Sequence, residues 1–387
     1  MRGVMRKRSR RELLAMGAAA AAIAPLADKG TAKERNSVII VNALGQLENP
    51  NLELIRPQPD NPVKIEAIDL DARTLADARA SGLTAVNITL GYVGGPEEPF
   101  EYTVDTIAMW DAVVRAHARD LTKIWHAGDI LKARSANKIG VILGFQNAAV
   151  MGSDASRVDT FADLGVRVIQ LTYNPANQLG DGAMAPGNRG LSAFGRKVVA
   201  RLNEKRVMVD LSHSGQNTCL DAARISKAPI SINHTGCRAL CDLPRNKTDE
   251  ELRLVASKGG FIGIYFMPFL KSDGHPHAED VIAHIEHAVN VCGEDHVGIG
   301  TDGSITAIDD LGAYHGFLAK QVADRAKNGL GASGERADAY PFVIDLRGPE
   351  QFRKLAALLK ARGHSETRIE KILGLNFLRF AKDGWSD

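Results

Sequence analysis

Short runs of consecutive apolar residues recur along this chain, each closed by a polar or glycine-rich turn. They alternate with stretches in which apolar residues return every three or four positions. A continuous apolar run of this kind marks a strand buried on both faces, and the longer period marks an amphipathic helix. The predicted strands are SVIIV (37–41), TAVNITL (84–90), KIGVILGF (138–145), VRVIQLTY (166–173), VMVDLSH (207–213), PISINH (229–234), FIGIYFM (261–267) and HVGIGTD (296–302). Helical spacing is read over 67–81, 101–136, 154–165, 191–206, 248–259, 278–293, 348–362 and 366–382. Thr248 followed by Glu251 is a capping-box pattern, and Gly259 and Gly260 close that helix. Eight strands alternating with helices predict a single α/β domain over 37–387, a (β/α)8 barrel of TIM type. An open doubly wound sheet is the runner-up, but no G-x-G-x-x-G follows any strand, so a dinucleotide site is unsupported.

Three of the predicted strands end in side chains that bind metals: His213, His234 and Asp302. Parallel barrel strands carry their chemistry at their C-terminal ends, which suggests one converging site. One histidine at a strand end is more often structural than a ligand. Two on adjacent strands, only about 5 Å apart, change that balance. Imidazole suits zinc, and catalytic zinc takes three protein ligands and a water. Asp302 is then a third ligand or the base for that water.

Charge and composition sharpen this picture mainly at the N-terminus. The 387-residue chain carries a formal charge of +2, but residues 1–30 hold seven basic and two acidic side chains, leaving the rest at −3. No basic stripe for nucleic acid remains. SRRELL (9–14) precedes the small apolar run AMGAAAAAIAPLA, the pattern of a twin-arginine export signal spanning 1–27. The run is too short and alanine-rich for a membrane span. The expected location is therefore periplasmic or secreted, with no stable membrane span after processing. Cys219, Cys237, Cys241 and Cys292 have irregular spacing and read as buried small residues rather than a disulfide framework. His284 and His287 read as solvent or helix-packing residues, His275 and His277 as loop residues on the catalytic side. His117, His126 and His364 read as surface, and Asn177 and Asp181 as solvated loop positions.

The segment from DLSHSGQNTCLDAARISKAPISINHTGCRALCDLPRNKTDEELRLVASKGGFIGI, with QLTYNPANQLGDG, GLSAFGRKVVARLN, DHVGIGTDG and LGLNFLRF, resembles the membrane (renal-type) dipeptidases, peptidase family M19, over about 138–380. The resemblance implies a zinc-dependent dipeptidase with a binuclear centre on an amidohydrolase-like barrel. It assigns His213 and His234 to one zinc and Asp302 to the other zinc and to proton transfer. Arg245 matches the arginine that pairs with the substrate carboxylate, a task suited to a bidentate guanidinium. Family members are often dimers, so a homodimer is implied, although no segment identifies its interface.

The departures from the family pattern lie in three separate segments. An H-x-D pair usually follows the first strand; here VNALGQL puts Leu44 and Gln46 there. The bridging glutamate after the third strand is Gln146, a weak neutral donor. A histidine after LT is Tyr173, whose phenol can hydrogen-bond a tetrahedral intermediate. These changes resemble a branch that includes periplasmic enzymes of siderophore maturation. The expectation is a metallo-dipeptidase or amide hydrolase with one zinc on His213 and His234, aided by Gln146 or Asp302. Asp302 and Tyr173 are catalytic, and Arg245 and Tyr173 bind substrate. The alternative is an altered member that binds or processes a peptide-derived natural product without ordinary dipeptidase activity.

Overall fold

A computed structural model describes residues 38–55 and 70–385 of the chain. The export signal expected over 1–27 lies outside them, as does the start of the helix expected over 67–81. Among the described residues there are nine parallel strands: β1 (Val41–Gly45), β2 (Ala85–Leu90), β3 (Leu121–Lys123), β4 (Ile139–Phe145), β5 (Val166–Gln170), β6 (Met208–Asp210), β7 (Ile230–Thr235), β8 (Phe261–Ile264) and β9 (Val297–Ile299). Eight run in the order β1-β2-β4-β5-β6-β7-β8-β9, with β3 paired only to the first half of β4. The barrel strands are buried almost throughout, which is why they read as continuous apolar runs rather than alternating ones.

Side chains as well as backbone close the barrel between β1 and β9. Asn42 donates to Thr301 Oγ1 and accepts from Thr301 N, both at 2.8 Å. Beyond it, Asp302 N donates to Leu44 O at 2.9 Å and Gln46 N to Gly303 O at 3.1 Å. Glycine also lets β8 and the end of β9 approach β7 inside the barrel: a Cβ on Gly263 or Gly300 would lie 2.0 or 1.9 Å from Asn233 O. The C-terminal helix Asn376–Gly384 plugs the end where the strands begin. There Phe377, Phe380 and Trp385 pack with Val41, Ala85, Ile142 and Phe261.

The barrel agrees with the sequence reading, with local corrections that include two further helices, Pro50–Ile55 and Gln216–Ile225, outside the expected helical segments. The first strand is Val41–Gly45 rather than 37–41, so Leu44 is a core strand residue and not a loop residue beyond the strand. The helix expected over 101–136 is two helices, Pro99–Ala116 and Ala127–Ser135, split by β3. A strand of three residues has no periodicity of its own; pairing with β4 creates it. An unforeseen helix, Leu311–Lys327, sits within the segment 303–350, with its own small apolar cluster around Ile308, Tyr314 and Leu318.

Several side chains read as bland prove structural. His284 is buried and accepts from Cys237 N at 2.8 Å, while its Nε2 lies 3.0 Å from Leu270 O; burial lowers its pKa to about 4. Asp181 is buried against Arg189, and Asn177 bridges Asn147 and Leu171, so that loop is cross-braced rather than solvated. His364 is nearly buried beside Glu286, not a surface residue. All four cysteines are free. Among the described residues no helix is long and apolar enough to cross a membrane.

Candidate functional site

The strand ends of β6 and β7 are tied together beneath the two histidines. Asp210, the last residue of β6, accepts from Ser212 Oγ at 2.6 Å, from Ser212 N at 3.1 Å and from Asn233 N at 2.9 Å. Ser212 Oγ in turn accepts from His234 N at 3.1 Å. Burial raises the Asp210 pKa, against the Ser212 hydrogen bonds that lower it. This buried knot fixes where His213 and His234 leave the barrel, and their rings lie 4.9 Å apart between centroids.

His213 is held on two sides. Its Nδ1 lies 2.7 Å from Asn174 Oδ1, and its ring stacks on Tyr173 at 4.3 Å. An amide oxygen only accepts, so Nδ1 carries the proton and Nε2 keeps a free lone pair. That Nε2 is buried and has no partner; neither does either ring nitrogen of His234. Burial, reinforced by the Arg245 charge, holds both histidines well below the ordinary pKa, so both are neutral at physiological pH. Buried imidazole nitrogens without hydrogen-bond partners call for explanation, and a cation is the usual one for such a pair.

Asp302 completes the group. Its Oδ2 is 4.0 Å from His234 Nε2. It sits just past β9 with φ of 56°, in the left-handed region that Asp tolerates better than most residues. Burial raises its pKa to about 6, against the pull of Arg245 and Arg325. Arg245 is 1% exposed; its Nη1 donates to Ser212 O at 2.6 Å, and its Nη2 is buried and unpartnered.

A cavity of about 500 Å³ opens over these groups, with His213, Arg245, Tyr173, Gln146, Gln46 and Asp302 on its wall. His234 and Leu44 lie behind the wall, fully buried. Gln146 is steered by its amide, which donates to Thr89 Oγ1 at 2.7 Å. The structure thus brings every expected site residue to one end of the barrel. Leu44 contributes only its carbonyl, to Asp302 N, and its side chain is core. Among the described residues, no three His, Cys, Asp or Glu form a ready-made metal shell.

Three participants escaped the sequence reading. Asn174 orients His213. Arg325 donates to the Tyr173 hydroxyl at 3.1 Å and is itself held by Glu335 at 2.7 and 3.0 Å. The apolar spacing of Leu311, Tyr314, Leu318 and Val322 was a legible helical signal for the element that carries Arg325.

The model of the membrane dipeptidase family, peptidase family M19, matches residues 83–328. An uncharacterised protein of the pqqA 5′ region in Klebsiella pneumoniae is 26% identical over 302 residues, covering 75% of this chain and 98% of that one. The dipeptidase tcpJ of Claviceps purpurea is 28% identical, covering 73% of this chain and 59% of that one. An uncharacterised dipeptidase of Schizosaccharomyces pombe is 31% identical, covering 72% and 62%. The chain therefore spans about three fifths of the length of these two fungal relatives. Among solved structures, an amidohydrolase from Pseudomonas aeruginosa superposes with a TM-score of 0.75 at 29% identity, covering 91% of this chain and 98% of that one. The probable dipeptidase PvdM, from the same organism, superposes with a TM-score of 0.67 at 20% identity, covering 90% and 96%. It supports the fold alone.

Proposed function

Because this chain belongs to the membrane dipeptidase family, peptidase family M19, we propose that it hydrolyses a small peptide-like amide with one zinc ion held at His213 and His234. The observation that carries this reading is the orphaned nitrogens of two neutral, buried imidazoles beside the Asp302 carboxylate. The orphaned nitrogens are donors for one cation, although among the described residues they do not form a ready-made shell with Asp302. The set does not fit two, because Leu44, Gln46 and Gln146 supply no charge where the family resemblance places the second metal and its bridge. When bound, the cation polarises the scissile carbonyl and acidifies a water.

The remaining work falls to the chain itself. Arg245 offers Nη2 to the substrate carboxylate, while its bond to Ser212 O fixes the guanidinium plane. Asp302, with its pKa raised to about 6, is ionised at neutral pH yet basic enough to accept a proton from water and return it to the leaving amine. The Tyr173 hydroxyl accepts from Arg325 and keeps its own proton for an oxyanion.

Purified protein is expected to hold about one zinc per chain and to cleave members of a dipeptide panel; full activity without metal would refute the reading. Its pH profile has a defined sign. Asp302 acts as a base only when ionised, so kcat/KM rises with pH, with an acid limb at or below about 6 because a bound cation draws the carboxyl down. An acid limb that persists in Asp302→Asn would assign it to another group.

The same three neutral positions favour a second reading, a family member that has given up ordinary dipeptide hydrolysis for a specialised peptide-derived substrate. The triple variant Leu44→His, Gln46→Asp, Gln146→Glu discriminates. If dipeptide turnover and a second zinc equivalent appear only in the triple variant, the second reading stands; comparable turnover in the native chain supports the first.

A further inference from the structure

The cavity lining mixes two chemistries. His213, Arg245 and Asp302 come from the strand ends, and the segment after β9 adds the apolar side chains of Tyr314, Phe317, Leu318, Val322, Phe342 and Leu346 among polar ones such as Arg325 and Arg347. The whole cavity, about 500 Å³, is in the range that holds drug-sized ligands. Burying apolar surface there stabilises a complex in proportion to the area removed from water.

Charge on the same wall points the same way. A free dipeptide carries an ammonium next to the scissile carbonyl, and a desolvated ammonium needs a carboxylate. Among the described residues the cavity wall carries Glu48, Asp302 and Glu335 against Arg245, Arg325, Arg336 and Arg347. Glu335 is committed to both nitrogens of Arg325, Glu48 accepts from Ser304 Oγ at 2.6 Å, and Asp302 faces the histidines. The wall thus carries four guanidinium groups against three carboxylates, and one of those carboxylates, Glu335, is already paired with Arg325.

We infer that the preferred substrate is an N-acyl amino acid or N-acylated peptide whose acyl group is bulky, apolar and without a free amine, its carboxylate held by Arg245 and its acyl group lying against the Tyr314–Phe342 wall. This deepens, and rests on, the hydrolase reading above. The reaction adds water across the amide: the water oxygen bonds to the acyl carbon, the C–N bond breaks, and the proton of the new acid passes to the leaving amine. The products are a carboxylate and an ammonium.

Matched probes test the inference on the zinc-loaded full chain. N-(3-phenylpropanoyl)-alanine and phenylalanyl-alanine differ only in the α-amine; N-acetyl-alanine lacks the bulky group; each is used in both alanine configurations. Calorimetric Kd reads the inference and turnover reads hydrolysis, so each fails by its own measurement. The phenylpropanoyl compound is expected to bind at least about tenfold more tightly than phenylalanyl-alanine and about thirtyfold more tightly than acetyl-alanine, corresponding to roughly 1.4 and 2 kcal/mol. In Phe317→Ala the second ratio is expected to shrink by about tenfold. Equal or tighter binding of phenylalanyl-alanine, or a ratio to acetyl-alanine near one, overturns the inference whether or not any compound turns over.

Discussion

Replacing His213 by alanine is expected to lower kcat/KM by a factor of about 1,000 or more and to remove bound zinc. That factor corresponds to about 4 kcal/mol of lost transition-state stabilisation. The physical reason is specific to this chain: with no charged ligand at the Leu44, Gln46 or Gln146 positions, no neighbouring donor replaces the lost imidazole. A site with several carboxylates keeps a cation after losing one ligand; this one is left with His234 and Asp302, 4.0 Å apart. Zinc content by elemental analysis and turnover on the preferred substrate check the expectation. Far-UV circular dichroism checks that the barrel survives, since the side chain removed contacts Tyr173, Asn174 and His234 rather than the barrel core. A variant that keeps a full equivalent of zinc and wild-type turnover would exclude His213 as a ligand.

Truncating Arg245 is expected to cost roughly 2–4 kcal/mol in kcat/KM, about 30- to 1,000-fold, chiefly through KM. Its Nη2 is a charged donor already desolvated and without a partner, so a substrate carboxylate gains the bond without paying to dry the guanidinium. Arg245→Lys tests geometry apart from charge: one ammonium cannot both reach Ser212 O and fork onto a carboxylate, so most of the KM penalty should remain. Arg245→Met removes the charge, and a secondary effect follows. The Arg245 charge depresses His213 and His234 and also holds Asp302 down, so all three titrate higher without it, and the acid limb of the rate profile moves to higher pH. A Met variant with unchanged KM would detach Arg245 from substrate binding.

The parts of this protein legible in its sequence are those set by local chemistry. Apolar runs too long and too continuous for an amphipathic helix fix strands buried on both faces, and eight of them alternating with helices fix a barrel. The residues that end VMVDLSH, PISINH and HVGIGTD were readable as one site, because parallel strands deliver their last side chains to the same rim. The absence of charge at Leu44, Gln46 and Gln146 was equally plain.

What the tertiary structure decided depends on residues distant in sequence. β3 exists because β4 offers an edge, not because LTK has a strand pattern. Asn174 and Tyr173 become the supports of His213 across 39 and 40 positions, and Arg325 reaches Tyr173 across 152. The lowered pKa of each histidine comes from burial reinforced by the field of Arg245, and the raised pKa of Asp302 from burial that outweighs the same field, none of which a sequence window contains. The apolar side chains on the cavity wall come from residues 303–350, which share that wall with the distant strand ends. Composition and period specify which elements form; shared burial and long-range contacts specify which of their side chains stay neutral, which stay charged, and what they face.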